Sequence, residues 1–283
     1  MTISYEEIVE KWKSRDKSKD VFAGHFLNVL VTELSGIENI NISYNQTKEL
    51  FASEYVRNYS GDLRDLYSVQ NNRYLAQYLN GQLREGTKIT PGFIKKVHGI
   101  LMKASIDNHR YNDNHERPGE YKKHDYGVGR YDAGVLPEDV DEYITDLCEL
   151  LEEKSTSDPL RLGAVFHCSF EYIHPFADGN GRTGRWLLNY LLVLKDHPPV
   201  LIRTADREEY YKALEQFDVS ENVKPMYDFL RECVVKSYPS YSYLLGDRTY
   251  EKIEKLWKEL PPSLKQNYTG DKETLLRELG MLE

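Results

Sequence analysis

The apolar residues of this 283-residue chain recur at helical spacing along nearly its whole length. In the segment 62–79, for example, Leu63 and Leu66 lie three residues apart on one helical face. Such a period predicts amphipathic helices that each bury one side. A second helix is predicted at 47–58, with Thr47 as its expected N-cap. The sequence therefore predicts an all-α fold.

One region, residues 106–137, departs from this period and is rich in Asn, Asp, Gly, His and Tyr. Within it the stretch GEYKKHDYGVGRYD, residues 119–132, shows enough alternation to suggest short strands, and glycines follow at 127, 129 and 134. Alternation punctuated by glycine is typical of a tight hairpin. We therefore expect a short β-hairpin flap on the helical bundle.

The charge of the chain bears on its partners. Lys and Arg total 37 against 46 Asp and Glu, which gives a formal charge of −9. An excess of acid argues against a chain whose main task is to bind phosphate backbones, so no nucleic-acid partner is expected. Residues 138–158 contain nine acidic residues and one basic residue, Lys154. The acidity therefore lies mostly on the solvated face of one predicted helix.

Composition also indicates a compartment. No stretch reaches the roughly 20 apolar residues that a membrane helix needs, so no membrane partner is expected. The first residues lack the basic head and apolar run of a signal peptide, and a cytoplasmic chain is expected. Cys148, Cys168 and Cys233 are widely spaced and form no C-x-x-C pair. They predict small core residues rather than a disulfide or zinc framework.

The most informative stretch runs from His174 to Arg185 and reads HPFADGNGRTGR, which we call the motif segment. It contains a loop with two glycines, and one imidazole, one carboxylate and two guanidiniums lie on either side of those glycines. Such a loop can point successive backbone N–H groups at one anion, and the helix that follows adds its positive N-terminal end. Arg182 lies three residues before Arg185, so both can grip phosphate from one side. The segment predicts a polyphosphate site.

Two further side chains of the motif segment suit phosphate chemistry. Asp178 is a hard oxygen ligand of the kind that Mg²⁺ prefers when it bridges phosphates. His174 can accept a proton from an attacking hydroxyl near neutral pH. We therefore expect a metal ligand at Asp178 and a general base at His174.

The motif segment resembles the signature of Fic-domain proteins, H-P-F-x-[D/E]-G-N-G-R-x-x-R. All its fixed positions are matched, by His174, Pro175, Phe176, Asp178, Gly179, Asn180, Gly181, Arg182 and Arg185. Upstream, His167, Phe170 and Glu171 match the usual lead-in helix, and His167 is interpreted as structural. The resemblance extends over roughly residues 86–236 and implies a Fic-fold helical bundle. Residues 1–85 then form an N-terminal helical region and 237–283 a C-terminal helical extension.

The resemblance implies transfer of AMP from ATP to a Tyr, Thr or Ser hydroxyl of a target protein, with release of pyrophosphate. His174 would be the general base and Asp178 would hold Mg²⁺. The glycine loop would stabilise charge on the α-phosphate, while the two arginines would bind the β- and γ-phosphates. The residues implied for ATP are Gly179, Asn180, Gly181, Arg182, Arg185, Tyr211 and Asp218, the last two near the adenine.

The predicted flap, by the same resemblance, would pair with an extended segment of the target protein. Its implied target-binding residues are Gly119, Tyr121, Tyr126 and Val128. Lys122 stands where family members often have Arg. A homodimer is a further possible assembly of the chain.

Glu38 is the candidate inhibitory residue. The segment LSGIENI, residues 34–40, resembles the family's inhibitory motif [S/T]-x-x-x-E-[G/N], with Glu38 and Asn39 at its end but Leu34 at its first position. The resemblance implies the class with an N-terminal inhibitory helix. In that class a Glu38–Arg185 pair would occupy the guanidinium meant for the γ-phosphate and would suppress AMP transfer, including transfer onto the protein itself.

Other activities fit the same residues. A kinase-like branch departs from glycine after the motif asparagine, whereas Gly181 is retained here, which favours AMP transfer. UMP transfer and phosphocholine transfer also use an intact motif, and in some relatives the inhibitory glutamate assists removal of AMP by positioning water. Outside enzymes, the alternative is a catalytically silent ATP-binding regulator, which an intact His174 disfavours. A toxin checked by a separate antitoxin is disfavoured by Glu38 in the same chain.

Overall fold

A computed structural model describes residues 3–40, 42–56, 59–126, 134–154, 158–247, 249–265 and 272–281. Within these ranges the chain is helical and contains no strand, which confirms the all-α prediction. The α-helices are α1 (Tyr5–Lys13), α2 (Gly24–Ile37), α3 (Tyr44–Ser53), α4 (Leu63–Glu85), α5 (Pro91–Leu101), α6 (Asn108–Asn112), α7 (Val140–Glu153), α8 (Pro159–Ile173), α9 (Asn180–Leu194), α10 (Arg207–Ser220), α11 (Lys224–Tyr241), α12 (Thr249–Glu259), α13 (Pro262–Lys265) and α14 (Lys272–Glu278). Two 3₁₀ turns lie at Thr204–Asp206 and Ser242–Leu245.

Helix α9 occupies the centre of the fold and packs against α8, α5 and α4. Its side chains are buried almost all round, including polar ones. Asn189 accepts the backbone N–H of Val200 at 2.8 Å, and the indole N–H of Trp186 donates to Asn72 on α4 at 2.7 Å. Because buried polar groups cost free energy unless they are paired, these bonds fix the rotation of α9.

The N-terminal helices belong to the same hydrophobic core as the centre. The core runs from Ile8 on α1 to Leu244 in the second 3₁₀ turn, and α2 packs against α4 and α11. Beyond it, Ile253, Leu260 and Leu276 form a small separate cluster between α12 and α14. The predicted region 1–85 is therefore packed into the bundle, whereas much of 237–283 has its own small core.

The start of α2 is fixed in space by a buried side chain of α4. Asn80 on α4 accepts the backbone N–H of Phe22 at 3.1 Å and donates to its carbonyl at 2.9 Å, and all of these groups are buried. This two-bond clamp ties the segment before α2 to the central helices.

We expect Asn80→Ala to lower the free energy of unfolding by about 2–4 kcal/mol, because two buried backbone groups of Phe22 would lose their partners. Urea denaturation followed by circular dichroism measures this loss. Gln82→Ala, which removes a side chain paired with Glu85 at the surface of the same helix, serves as the control and should change it by less than about 0.5 kcal/mol. Equal effects of the two changes would contradict the clamp.

One local prediction is wrong, the residue at which the second predicted helix begins. Helix α3 begins at Tyr44 rather than at 47, because Ser43 is its N-cap and forms a reciprocal capping box with Gln46. Thr47 lies inside the helix, buried, with its hydroxyl 3.2 Å from that of Thr32. The helix begins about one turn earlier than predicted. Ser43 together with Gln46 satisfies two backbone N–H donors, whereas Thr47 alone would satisfy fewer.

The expected hairpin is not formed in the described part of the flap, residues 119–126. The backbone N–H of Lys122 donates to Pro175 O at 2.9 Å, and that of Lys123 donates to the Glu116 carboxylate at 3.0 Å. These donors are therefore used by the motif segment and by a side chain, not by a neighbouring strand. The rest of the predicted hairpin, with Val128, lies outside the described residues.

None of the helices in the described part of the chain combines the length and the low polarity of a membrane span.

Candidate active site

The motif segment forms a tight loop between α8 and α9. His174 caps the end of α8 with left-handed backbone angles, φ 50° and ψ 61°, and Gly179 is the N-cap of α9 at φ 75°. A non-glycine residue in this region is uncommon and indicates a position that its surroundings hold. Asn180 supplies that hold, since its amide accepts the N–H of Phe176 at 2.9 Å and donates to its carbonyl at 2.7 Å.

The imidazole of His174 is kept neutral by its surroundings. Burial lowers its pKa to about 4, and the charges of Lys122 and Arg110 act in the same direction. The Nζ of Lys122 is buried and has no hydrogen-bond partner within the described ranges. His174 therefore presents an unprotonated nitrogen across the physiological range, as a general base requires.

Asp178 lies at the start of α9 with both carboxylate oxygens near cations. Its Oδ1 accepts the N–H of Gly179 at 2.7 Å and lies 3.8 Å from Nη2 of Arg182, while Oδ2 lies 3.7 Å from Nη1 of Arg110. The side chain is 29% exposed, so it can still reach a ligand. In the described residues no group of three or more acidic, His or Cys side chains could hold a metal alone. One carboxylate suits Mg²⁺ only when phosphates supply further oxygens.

Arg182 and Arg185 project from the first turns of α9, as their spacing predicts. The Nη1 of Arg182 donates to the hydroxyl of Ser68 on α4 at 2.6 Å. Arg185 is 2% exposed and its Nη1 lies 3.5 Å from the hydroxyl of Tyr210 on α10. Both guanidiniums are thus held by neighbouring helices, and with the N-terminus of α9 they concentrate positive charge at one place.

Glu38, from the N-terminal region, lies beside the two arginines at the N-terminus of α9. It is the C-cap of α2, and its Oε1 accepts a hydrogen bond from Nη2 of Arg185. Burial opposes ionisation of Glu38, yet the charges of Arg185, Arg182 and Arg207 outweigh it and hold the pKa of this carboxyl below its usual range. The structure thereby brings together two residues that lie 147 positions apart in the sequence.

Gly181 permits this contact. A Cβ added at Gly181 would lie 2.9 Å from Nη1 of Arg185 and 3.0 Å from Oε1 of Glu38. Any side chain at this position would press on the carboxylate–guanidinium pair. Glycine therefore leaves room for the close approach of this pair, and no unusual backbone angle is involved.

The residues predicted to lie near the adenine are on α10. Tyr211 is 43% exposed, and its neighbour Tyr210 is completely buried, so the two adjacent tyrosines divide between surface and core. Asp218 lies two helical turns beyond Tyr211, on the same face of α10. Burial and then Glu215 raise the pKa of Asp218 above its usual value.

The described part of the flap packs onto the motif segment. Gly119 has φ 85°, and a Cβ there would lie 3.0 Å from Lys95 O, so only glycine fits. The ring of Tyr121 lies 5.6 Å from that of Phe176. The hydroxyl of Tyr126 donates to Glu116 at 3.0 Å.

Sequence reasoning missed His98 and Glu116. His98 on α5 accepts the N–H of Gly119 on Nδ1 at 2.8 Å and donates from Nε2 to Asp178 O at 3.0 Å, and its ring stacks on Phe176 at 3.7 Å. Burial lowers its pKa to about 3, which keeps it neutral and able to play both roles. Glu116 is 1% exposed and accepts from Lys123 and Tyr126. In the sequence neither residue stands in a recognisable motif.

Comparison with known proteins finds a family match for the middle of the chain. The family model described as the Fic/DOC family matches residues 88–192. A protein adenylyltransferase Fic of Nematostella vectensis is 32% identical over 153 residues, which cover 52% of this chain and 35% of that protein. One of Drosophila melanogaster is 29% identical over 168 residues, which cover 56% and 33%. The chain thus spans about a third of the length of these curated relatives.

Solved structures of similar fold are helical Fic proteins. A Fic domain containing signaling protein from Bacteroides thetaiotaomicron superposes with a TM-score of 0.71 at 22% identity and covers 87% of this chain and 96% of its own. Fic-1 from C. elegans gives 0.70 at 24% identity, over 86% and 71%. At these identities the likeness concerns the fold. The motif segment and the fold agree with the family match, so residues 88–192 are similar to the Fic/DOC family.

Proposed function

We propose that the protein is a protein adenylyltransferase, which transfers AMP from ATP to a hydroxyl side chain of a target protein. The observation that carries this proposal is a neutral His174 on the loop that opens α9, with Arg182 and Arg185 in the turns that follow. A base beside a polyphosphate site can activate a hydroxyl for attack on phosphorus. The curated relatives are named protein adenylyltransferase Fic, which supports the same activity.

In the proposed reaction the target hydroxyl oxygen attacks the α-phosphorus of ATP. Its proton passes to the unprotonated ring nitrogen of His174, a new phosphorus–oxygen bond forms, and the bond to the bridging oxygen breaks so that pyrophosphate leaves. The N–H groups at the start of α9 face the charge that develops on the α-phosphate. Arg182 and Arg185 hold the leaving pyrophosphate, so most of the rate comes from positioning and charge stabilisation.

Magnesium would be held by Asp178 together with phosphate oxygens, and it would neutralise charge on the phosphates. The carboxylate fits this role because it is partly exposed and supplies hard oxygens without a complete protein cage. Asp178 is also oriented by the Gly179 N–H and by its own carbonyl's bond to His98.

Glu38 is proposed to inhibit the enzyme in the same chain. The γ-phosphate and the Glu38 carboxylate would need the same Nη2 of Arg185, so ATP binds productively only when Glu38 leaves. Release would then permit AMP transfer, including transfer onto the protein itself. The target would bind along the flap as an extended segment. A homodimer and a cytoplasmic location stay predictions.

Incubation with ATP labelled on the α- or the γ-phosphate tests the reaction class. We expect Glu38→Gly to place α-label on protein and no γ-label. Transfer of γ-label would indicate a kinase, and no label with ATP still bound would favour the silent regulator. UMP and phosphocholine transfer are tested in parallel with labelled UTP and CDP-choline, which should leave the protein unlabelled.

The pH profile of AMP transfer should follow His174. In Glu38→Gly we expect kcat/KM to stay constant from about pH 6 to about pH 8 and to fall only below about pH 5, because a base with a lowered pKa is lost only when it becomes protonated. Initial rates at saturating Mg²⁺ measure this profile. A fall centred near the ordinary histidine value of 6.5 would contradict the proposed environment of His174.

A further inference from the structure

Behind Arg185 lies a buried polar cluster that the proposed mechanism does not use. It contains His167 and Glu171 on α8 and Tyr210 on α10. The hydroxyl of Tyr210 lies 2.8 Å from Nε2 of His167, and Nδ1 of His167 lies 4.0 Å from Oε1 of Glu171. The exposed fraction is 0% for His167 and 13% for the Glu171 side chain. The cluster is therefore part of the interior and shares Tyr210 with Arg185.

Three polar atoms of this neighbourhood are buried without a hydrogen-bond partner in the part of the chain that the structure describes. They are Oε1 of Glu171, Nδ1 of His167 and Nε of Arg185. Gly184 admits the carboxyl, because a Cβ there would lie 2.4 Å from Oε1 of Glu171. A buried carboxyl oxygen without a hydrogen-bond partner can still accept a hydrogen bond.

Arg185 needs another hydrogen-bond acceptor when Glu38 leaves it. Its strong partner is Glu38, and a buried guanidinium that loses its carboxylate is left with an uncompensated charge, which is costly. The charges that act on Glu171 come from Arg185 on α9, Glu38 after α2 and Asp218 on α10. Arg185 is the cation of this set and favours the ionised form of Glu171. Glu38 and Asp218 are anions, and their charges disfavour that form.

We propose that Glu171 is the alternative counter-ion of Arg185, and that it loses a proton when Glu38 leaves the guanidinium and regains it when Glu38 returns. Glu171 is thus a positioning residue, because its carboxylate compensates the charge of Arg185 and is linked to that guanidinium through His167 and Tyr210. The inference rests on the proposed self-inhibition and couples the release of Glu38 to the loss of one proton from Glu171. Rising pH then weakens the hold of Glu38, and falling pH strengthens it.

The direction of this pH effect follows from the protonation of Glu171 with Glu38 bound to Arg185 and with Glu38 released. With Glu38 bound, burial raises the pKa of Glu171 to about 7, and the Glu38 charge adds to this rise. When the Glu38 charge is removed, the pKa of Glu171 falls, because a raising cause is lost while Arg185 remains. The state with Glu38 bound therefore carries more protons, so protons favour it.

Thermal unfolding of wild type, Glu38→Gln, Glu171→Gln and the double variant tests this without any need for AMP transfer. We expect the Tm loss caused by Glu38→Gln to grow by about 2–4 °C as the pH falls from about 8 to about 5.5 when Glu171 is present. With Gln at position 171, the same loss should be independent of pH. Glu33→Gln, a carboxylate of α2 that contacts Thr204 and Arg203, is the matched control in place of Glu38→Gln.

The inference is overturned if the loss caused by Glu38→Gln has the same pH dependence with Glu or Gln at position 171, or if Glu33→Gln shows the same coupling. Should the double variant fail to fold, wild type and Glu38→Gln still give the comparison, and a loss that shrinks or stays constant on acidification overturns it. An enzyme without AMP transfer that nonetheless shows the coupling would contradict the proposed function alone.

Discussion

Glu38→Gly is expected to raise the rate of AMP transfer by about 10–100-fold at subsaturating ATP. The change removes the carboxylate that occupies Nη2 of Arg185 and leaves the guanidinium for the γ-phosphate. A hydrogen bond between charged groups contributes about 1.5–3 kcal/mol, and about 1.4 kcal/mol corresponds to tenfold. The measurement is incorporation of α-label from ATP into the protein itself and into proteins of a host lysate.

Glu33→Gly is the matched control for this increase. It makes the same chemical change within α2, the helix that Glu38 caps, but Glu33 contacts Thr204 and Arg203 rather than the motif segment. It should leave the rate within about twofold, since it frees no motif arginine. Equal rates for wild type and Glu38→Gly, or an equal rise in both variants, would contradict inhibition through Arg185.

His174→Ala in the Glu38→Gly background is expected to lower AMP transfer by about 10²–10⁴-fold, the usual contribution of a positioned general base. ATP binding should persist, because Arg182, Arg185 and the start of α9 are unchanged. Calorimetric titration with ATP and Mg²⁺ separates binding from chemistry. Loss of both would indicate that the left-handed turn at residue 174 has collapsed rather than that a base is missing.

Asn is the informative second substitution at this position. Asn adopts left-handed backbone angles readily and carries no basic nitrogen, so His174→Asn should keep the loop and lose the reaction. If His174→Asn transfers AMP at the rate of its parent, His174 is not the general base.

The sequence predicted much of the site because its residues are contiguous. Positions 174–185 form one loop and one helix start, so local rules on glycine, helix termini and arginine spacing are sufficient there. Glu38 was found only through a resemblance, and no local rule could have placed it on Arg185. The carboxylate reaches the guanidinium because α2 packs against α4 and α11, which is a tertiary fact.

Other residues were not predictable, for identifiable reasons. His98 lies on a helical face among apolar residues, where a histidine in the sequence looks like any core position. Ser68 acts through helix packing, since its partner, Arg182, lies on another helix. At Thr47 the error was local, because Ser43 with Gln46 made a better cap than the one expected.

The flap shows how side chains can replace strand pairing. Alternation and glycine predicted a hairpin, yet in residues 119–126 the carboxylate of Glu116 accepts the backbone N–H of Lys123, a donor that a neighbouring strand would otherwise use. Glu116 is a single buried residue outside the alternating stretch, so periodicity could not reveal its effect.

Intact-mass spectrometry of Glu38→Gly after incubation with ATP and Mg²⁺ tests the central claim most directly. The account predicts that the protein gains the mass of one or more AMP groups on hydroxyl side chains, and that His174→Ala in the same background gains none. A gain of phosphate mass, or no gain by a folded Glu38→Gly protein that binds ATP, would contradict it.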